Sequence, residues 1–299
     1  SSIIAGDAES ASVKKDVSSC LTCGMCFERC PSAVHFSEFI RDLRTVIACE
    51  DDEGGSSQAH AGFFQTLQRT LATPKLTPRR WDWLAKDIVI DQNSKMLFWG
   101  GCAAFFDFFF HRFLNVRTRD ILEDSLRLLN FFDIKPALLS DERCCGHDLL
   151  WSGDQENFLR LARLNVAAIQ KRGIEQVVTA CPECYRTLKH DYPSLGIETG
   201  LSVTHIYELL DQEVSKGKVA FKKLGRSMTF QDSCRMSRFE DKADLPRKLI
   251  ARLQQDRFAE MQDHGKASIC CGNSAWTGCD AYSKALQVKR LEQARATGS

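Results

Sequence analysis

Apolar residues after Pro31 recur at helical spacing, with Phe36, Phe39, Ile40, Leu43 and Ile47 on one face and Ser37 placed to cap the start. This predicts a packing helix over 36–47. Residues 50–62 are acidic and rich in Gly and Ser, which reads as a solvated connector. A second helix over 63–71 follows, and Pro74, Pro78, Trp81 and Trp83 end a helical first segment. From residue 95 the pattern changes. Short apolar runs predict strands over 95–99, 137–139 and 176–179, and amphipathic runs predict helices over 118–131 and 155–172, the latter closed by Gly173. Alternating strands and helices imply an α/β unit with a largely parallel sheet and ligands at the strand C-termini. The aromatic stretch 97–110 is too short for a membrane span, carries Asp107 and contains a Gly-Gly break. It reads as a buried strand running through a loop into a helix, or as an aromatic patch that docks a partner subunit.

The pattern repeats. Met96, Phe98 and Cys102 match Met228, Phe230 and Cys234 at an offset of 132, and Cys144-Cys145-Gly146 matches Cys270-Cys271-Gly272 at 126. Trp151, Gly153, Leu161, Val166 and Gly173 then match Trp276, Gly278, Leu286, Leu291 and Gly298 at 125. Such self-similarity marks duplicated structural units. In the first copy the triplet is followed by Cys181-Pro182-Glu183-Cys184, so five thiols (Cys102, Cys144, Cys145, Cys181 and Cys184) converge in sequence on one site. Five exceeds the four that a cubane or a zinc ion needs. In the second copy the same offset carries the C-x2-C beyond Ser299. That copy is expected to be incomplete here, the chain reading as a trimmed piece of a longer protein.

Composition narrows the chemistry. The 299 residues are 43% hydrophobic and 26% charged, ordinary for a globular protein, and the net charge of +1 gives no reason to expect nucleic acid or an anionic membrane as the main partner. Fourteen cysteines suit a disulfide scaffold or a metalloprotein. Adjacent cysteines pair poorly with each other, so reduced, metal-bound thiols in a cytoplasm are the reading, with attachment to the inner face of a membrane only through a partner subunit.

Near the N-terminus, Cys20-x2-Cys23-x2-Cys26-x3-Cys30-Pro31 is a 4Fe-4S signature of the bacterial ferredoxin type. Gly24 permits the tight turn and Pro31 stops it. In that motif class the fourth cysteine ligates the other cluster of a pair, which leaves the partner of Cys30 open. Cys49 reads as a small buried thiol or as a distant ligand. The fold class expected is mixed α+β and α/β. A helical ferredoxin-like segment (1–80) precedes two pseudo-repeated α/β units, one over 81–225 and a second, incomplete one over 226–299.

With these motifs the chain resembles the heterodisulfide reductase type of iron-sulfur protein with its CCG domains. The segment 18–48 is similar to the second ferredoxin motif of that reductase's C subunit, and residues from Met96 onward to its B subunit, so the whole resembles the fused D-type subunit. The first spacer, 41 residues from Cys102 to Cys144, is slightly longer than that family's. The sequences CCGHDLLWSGD and CCGNSAWTGCD are similar to the branch containing the K subunit of dissimilatory sulfite reduction. The resemblance implies a ferredoxin-type 4Fe-4S cluster on Cys20, Cys23, Cys26 and Cys30, and a noncubane 4Fe-4S assembly on the five thiols of the first set, or a cubane with one spare cysteine. Cys234, Cys270 and Cys271 would hold a further cluster only with more ligands. Cys279 is a replacement ligand, a bystander, or part of a site finished beyond Ser299.

The function implied is that of an iron-sulfur oxidoreductase acting within a complex. Electrons enter at the N-terminal cluster and pass to the first CCG site for reduction, or reverse oxidation, of a disulfide or protein-persulfide substrate. The alternative is a pure relay between a flavoprotein, ferredoxin-like, or membrane cytochrome or quinone-linked partner and another enzyme; a structural zinc at the C-x2-C pair is a third reading. His147 and Asp148 are candidate proton donors to a leaving thiolate, or a loop pair that hydrogen-bonds backbone. Arg143 either offsets thiolate charge or lies at the surface.

Overall fold

The computed structural model describes residues 10–50, 58–217, 219, 221–253, 257–277 and 280–299. The chain forms two compact units, neither continuous in sequence: Thr70–Gly146 with Leu159–Val219, and Ser1–Arg69 with His147–Phe158 and Ala220–Ser299. Both are mixtures of helices and a small parallel sheet.

In the unit containing Thr70–Gly146, three parallel strands lie side by side in the order β1 (Met96–Trp99), β2 (Gln176–Thr179) and β3 (Ser202–His205). Leu97 is in register with Val177, and Val177 with Val203. β1 is fully buried from Leu97 to Trp99 because parallel strands are covered on both faces. Phe98 and Val178 pack with Leu122, Leu126 and Leu129 of the Thr118–Phe131 helix and with Ile206 and Leu209 of the Ile206–Ser215 helix. Burying each such side chain is worth about 1.5–3 kcal/mol. The strand expected over 137–139 contracts to one bridge, in which Ala137 pairs with Leu97 beyond the free edge of β1. Ala137 alone exchanges bonds with that strand, its amide donating to the Met96 carbonyl and its carbonyl accepting from the Phe98 amide. The helices expected over 118–131 and 155–172 and the strands expected over 95–99 and 176–179 lie within a residue of their sequence-derived bounds.

The stretch 97–110 divides between its two readings. Its first half is the buried strand and loop. The second half opens the Ala103–Leu114 helix, which leaves Phe108 83% and Phe113 80% exposed.

In the other unit, the Phe36–Glu50 helix packs on the Ala11–Ser19 helix through Ile40 and Leu43 against Val13 and Val17. Phe36 and Phe39 lie outside this contact and are exposed. The buried face is displaced from the Phe positions because it also accommodates Arg44. Ser37 does not cap: the helix starts one residue earlier, and Ser37 is buried in its first turn with an unpartnered hydroxyl. The same unit holds a two-stranded parallel sheet, β4 (Ser227–Met228) and β5 (Arg257–Phe258), and the Ala281–Ala296 helix, capped by Asp280. No helix among the described residues is long and apolar enough to cross a membrane.

Candidate metal centres

Parallel strands release their chains at a common edge, and there the first cysteine set assembles. β1 ends at Trp99 and the turn Gly100-Gly101 delivers Cys102 to the N-terminus of the Ala103–Leu114 helix. β2 ends at Thr179, and Cys181 caps the Pro182–Arg186 helix, its sulfur accepting from the Cys184 amide at 3.4 Å. The triplet follows the Ala137 bridge; Gly146 adopts φ 89°, a left-handed conformation that glycine tolerates. Cys102 Sγ lies 2.8 Å from Cys144 Sγ, and Cys184 Sγ 3.5 Å from Cys145 Sγ. Cys144, Cys145 and Cys184 are buried, whereas Cys102 and Cys181 are half-buried and form the open side.

The loops are held by groups that the sequence alone did not single out. Glu142, wholly buried, accepts from the Gly100 amide (3.2 Å), the Gly101 amide (2.9 Å) and Arg80 Nη2 (3.1 Å). Arg80 also donates to the Gly101 carbonyl. Burial pushes the Glu142 carboxyl above its ordinary range, while Arg80 and the two amides oppose this. On the other side, Asn165 Nδ2 donates to the Cys144 carbonyl (2.8 Å) and to the Tyr192 hydroxyl, which itself donates to the Cys145 carbonyl (2.9 Å). Hydrogen bonding to Cys145 and Cys181, together with burial, raises the Cys184 thiol well above its usual value; burial first, and then the neighbouring thiols, raise the Tyr192 hydroxyl. Arg143 is buried rather than at the surface, and it donates to the carbonyls of Leu71, Thr73 and Leu76.

The donor set fits an iron-sulfur group. The twelve cysteines whose side chains are described are all thiols, none of them in a disulfide. Gly101 has φ 62°, and a Cβ there would stand 2.7 Å from Cys184 Sγ, so the turn leaves its spare volume to sulfur. Cys102, Cys144, Cys145, Cys181 and Cys184 would hold the group.

The remaining described cysteines belong to the other unit. Cys20, Cys23 and Cys26 interact electrostatically, and the Thr22 amide donates to Cys20 Sγ at 3.4 Å. Thr22 has φ 44°, and Gly24 has φ 75° with the Phe239 ring 3.0 Å from where a Cβ would lie. The Cys270 thiol donates to Cys23, and this bond, the Met25 amide, Arg238 and Arg235 together hold the Cys23 thiol down to about 5 against burial. Cys270 is raised by the same bond and by Cys271, and Cys234, raised by burial, feels both Cys271 and Cys23. Cys23 therefore stands among both the N-terminal thiols and those of the second triplet. Cys30 is turned instead toward the amides of Val34, Ser32 and Ala33, which lower its thiol. Cys49 lies in the Phe36–Glu50 helix, and Cys279 lies outside the described residues.

His147 and Asp148 are buried in this second unit. Arg235 Nε donates to His147 Nε2 at 3.1 Å, which makes Nε2 the bare acceptor and places the ring proton on Nδ1, 3.0 Å from Asp148 Oδ1. Gln68 Nε2 donates to Asp148 Oδ2 at 2.6 Å. Both ring nitrogens are engaged, so a proton leaves this imidazole only if Arg235 or Asp148 rearranges.

A cysteine-rich domain family, CCG, matches residues 96–189 and 228–299, more than half of the chain. The chain is 28% identical to the D subunit of dihydromethanophenazine:CoB–CoM heterodisulfide reductase from Methanosarcina mazei, over 95% of its own length and 69% of that protein. It is 25% identical to EtfAB:quinone oxidoreductase of Syntrophomonas wolfei (92% of this chain, 39% of that protein) and 25% identical to a probable iron-sulfur-binding oxidoreductase of Bacillus subtilis (95% and 41%). The chain thus spans about two fifths of these last two relatives. No solved structure matches it. The two stretches matched, each beginning at the strand that leads to a single cysteine and including the Cys-Cys-Gly turn, show that the chain belongs to the CCG cysteine-rich domain family.

Proposed function

We propose that the chain is an electron-transferring component of an oxidoreductase complex, with one iron-sulfur group at the five-thiol site and another on the N-terminal motif, and that its substrate is a disulfide-type sulfur compound. The convergence of Cys102, Cys144, Cys145, Cys181 and Cys184 at one sheet edge carries this reading. When bound, such groups supply electrons singly, and two electrons with two protons convert a disulfide into two thiols. The residues of the chain position and screen: Glu142 and Arg80 hold the Gly-Gly turn, Asn165 and Tyr192 hold the triplet carbonyls, and burial of three of the five thiols keeps water from most of the site. The half-buried side at Cys102 and Cys181 is where a sulfur substrate would approach. Cys234, Cys270 and Cys271 form the counterpart of this set in a second repeat of the same unit.

Iron and sulfide analysis with electron paramagnetic resonance on the full-length protein tests this. The expected result is at least two clusters per chain and loss of one set of signals in Cys145→Ser. Fewer than two clusters, or an unchanged spectrum in that variant, overturns the reading.

The exposed aromatic face of the Ala103–Leu114 helix favours a second reading. The helix begins at Cys102, so a redox partner seated on Phe108 and Phe113 would lie beside the site, and the chain would pass electrons on without a substrate of its own. Turnover of a disulfide by the isolated, reduced protein separates the two: the relay reading expects none.

A further inference from the structure

Three arginines are buried around the Cys20–Cys23 turn, and each directs its guanidinium at the main chain of that turn. Arg44 Nη2 donates to the Cys20 carbonyl (2.5 Å), with further bonds to the carbonyls of Val17, Ser18 and Trp151. Arg235 Nη1 donates to the Thr22 carbonyl (3.1 Å) and Nη2 to the Thr22 hydroxyl (3.3 Å). Arg238 Nε donates to the Cys23 carbonyl (2.7 Å), and its Nη1 to the carbonyls of Lys266 and Ser268. Three positions of the ligand turn, Cys20, Thr22 and Cys23, thus each carry a cation. The arginines are 5%, 2% and 6% exposed, and none has a carboxylate partner among the described residues.

That arrangement is costly without an anion. Removing a guanidinium from water costs several kcal/mol even after relaxation, and carbonyl dipoles offset this without neutralising the charge. The like charges also oppose one another: burial pushes Arg44 down to about 10, Arg235 adds to the fall, and the Cys20 thiol works against it. Arg235 spreads its charge over the faces of Trp151 (4.0 Å) and Phe239 (4.6 Å). Most directly, Arg238 Nη2 is buried with no hydrogen-bond partner, and the charge of Arg238 acts to lower the Cys23 and Cys234 thiols.

We infer that Arg44, Arg235 and Arg238 form a fixed cationic cradle for the anionic iron-sulfur group on the Cys20, Cys23 and Cys26 thiols, and that the cradle raises its midpoint potential. The inference rests on the cluster reading above. A cluster bound by thiolates is an anion, and reduction adds one electron and therefore one more negative charge. Fixed cations stabilise the reduced form more than the oxidised form, which moves the potential upward. Arginine suits this role because it stays protonated when buried. The N-terminal group would then act as an electron well whose depth is set by the second repeat and by the Phe36–Glu50 helix, with Arg235 and Arg238 following directly on Cys234.

The test is a redox titration of the full-length protein followed by electron paramagnetic resonance, with Cys26→Ser and Cys102→Ser used to assign signals to the two sites. Arg238→Gln, Arg235→Gln and Arg44→Gln are each compared with the corresponding lysine variant. The expected result is a shift of the N-terminal signal to a more negative potential in every glutamine variant, a smaller shift or none with lysine, and no change in the Cys102-dependent signal. If a glutamine variant loses iron from the N-terminal site while the lysine variant retains it, the charge requirement stands. An unshifted potential in an iron-loaded glutamine variant, equal shifts at both sites, or equal iron loss in both variants overturns the inference. Absence of iron at Cys26-dependent sites in the unmutated protein sinks the cluster reading instead, and so is distinguishable.

Discussion

The two cysteine sites of this protein differ in how their buried arginines are partnered. Beside the first CCG set, Arg80 is paired with a carboxylate, Glu142, Asn165 and Tyr192 are neutral, and Arg143 donates to three carbonyls. Around the N-terminal motif, the three buried arginines bond to carbonyls, a hydroxyl and His147; among the described residues no carboxylate bonds them directly, and Asp148 is linked to Arg235 through His147. A cation paired with a carboxylate, as Arg80 is, adds little net charge to the group beside it. A frame with excess positive charge selects an anion and favours its reduced state.

The strongest way to break that comparison is to unbalance the Arg80–Glu142 pair. Arg80→Met leaves Glu142 buried without its cation and is expected to cost about 3–5 kcal/mol in chemical unfolding, with iron lost from the first site alone. Equal iron loss from both sites would show that the two frames are not separate. This deficit depends on pH. A buried carboxyl raised in the folded state favours folding below its unfolded pKa and loses that benefit as pH rises through the folded value. The deficit of Arg80→Met is therefore largest at neutral pH and shrinks on acidification, which stability measurements across that range would read.

Gly101→Ala is the next in size. A left-handed alanine costs roughly 1–2 kcal/mol, and its Cβ would also strike Cys184 Sγ. The expected outcome is reduced iron occupancy at the first site with the N-terminal signal unchanged; full occupancy would mean the turn is not a ligand cradle. Tyr192→Phe removes the hydroxyl shared by Asn165 and the Cys145 carbonyl, for about 1–2 kcal/mol in thermal unfolding, and is expected to broaden the first-site spectrum without moving the N-terminal potential. Smallest is Phe108→Ser, which changes stability by less than about 0.5 kcal/mol because the ring is exposed. Weaker binding of a redox partner in that variant, at unchanged iron content, would sharpen the role of the aromatic face.

Much of this was legible in the chain. The strands at Met96 and Gln176, the helix over 118–131 and the five-cysteine spacing are local patterns, set by periodicity and turn chemistry within a few residues. Arg44, Arg235 and Arg238 gave no such signal. They lie 24, 213 and 215 residues from the carbonyls of Cys20, Thr22 and Cys23 that they reach, and an arginine on a helical face reads as solvated until its surroundings are known. Phe36 and Phe39 failed in the opposite sense. Their spacing marked a core face, but packing against Val13 and Val17 chose Ile40 and Leu43 and left the two rings outside.

The candidate ligands are thus legible in the sequence, because thiol spacing and the glycines that permit tight turns are written along short stretches of chain. The electrostatic setting of those ligands is not. Whether a buried charge is neutralised, as at Arg80, or left to act on a neighbour, as at Arg238, depends on what residues far apart in sequence bring within a few ångströms, and Coulomb energies in a low-dielectric interior change steeply over that distance. Only the tertiary structure decides it.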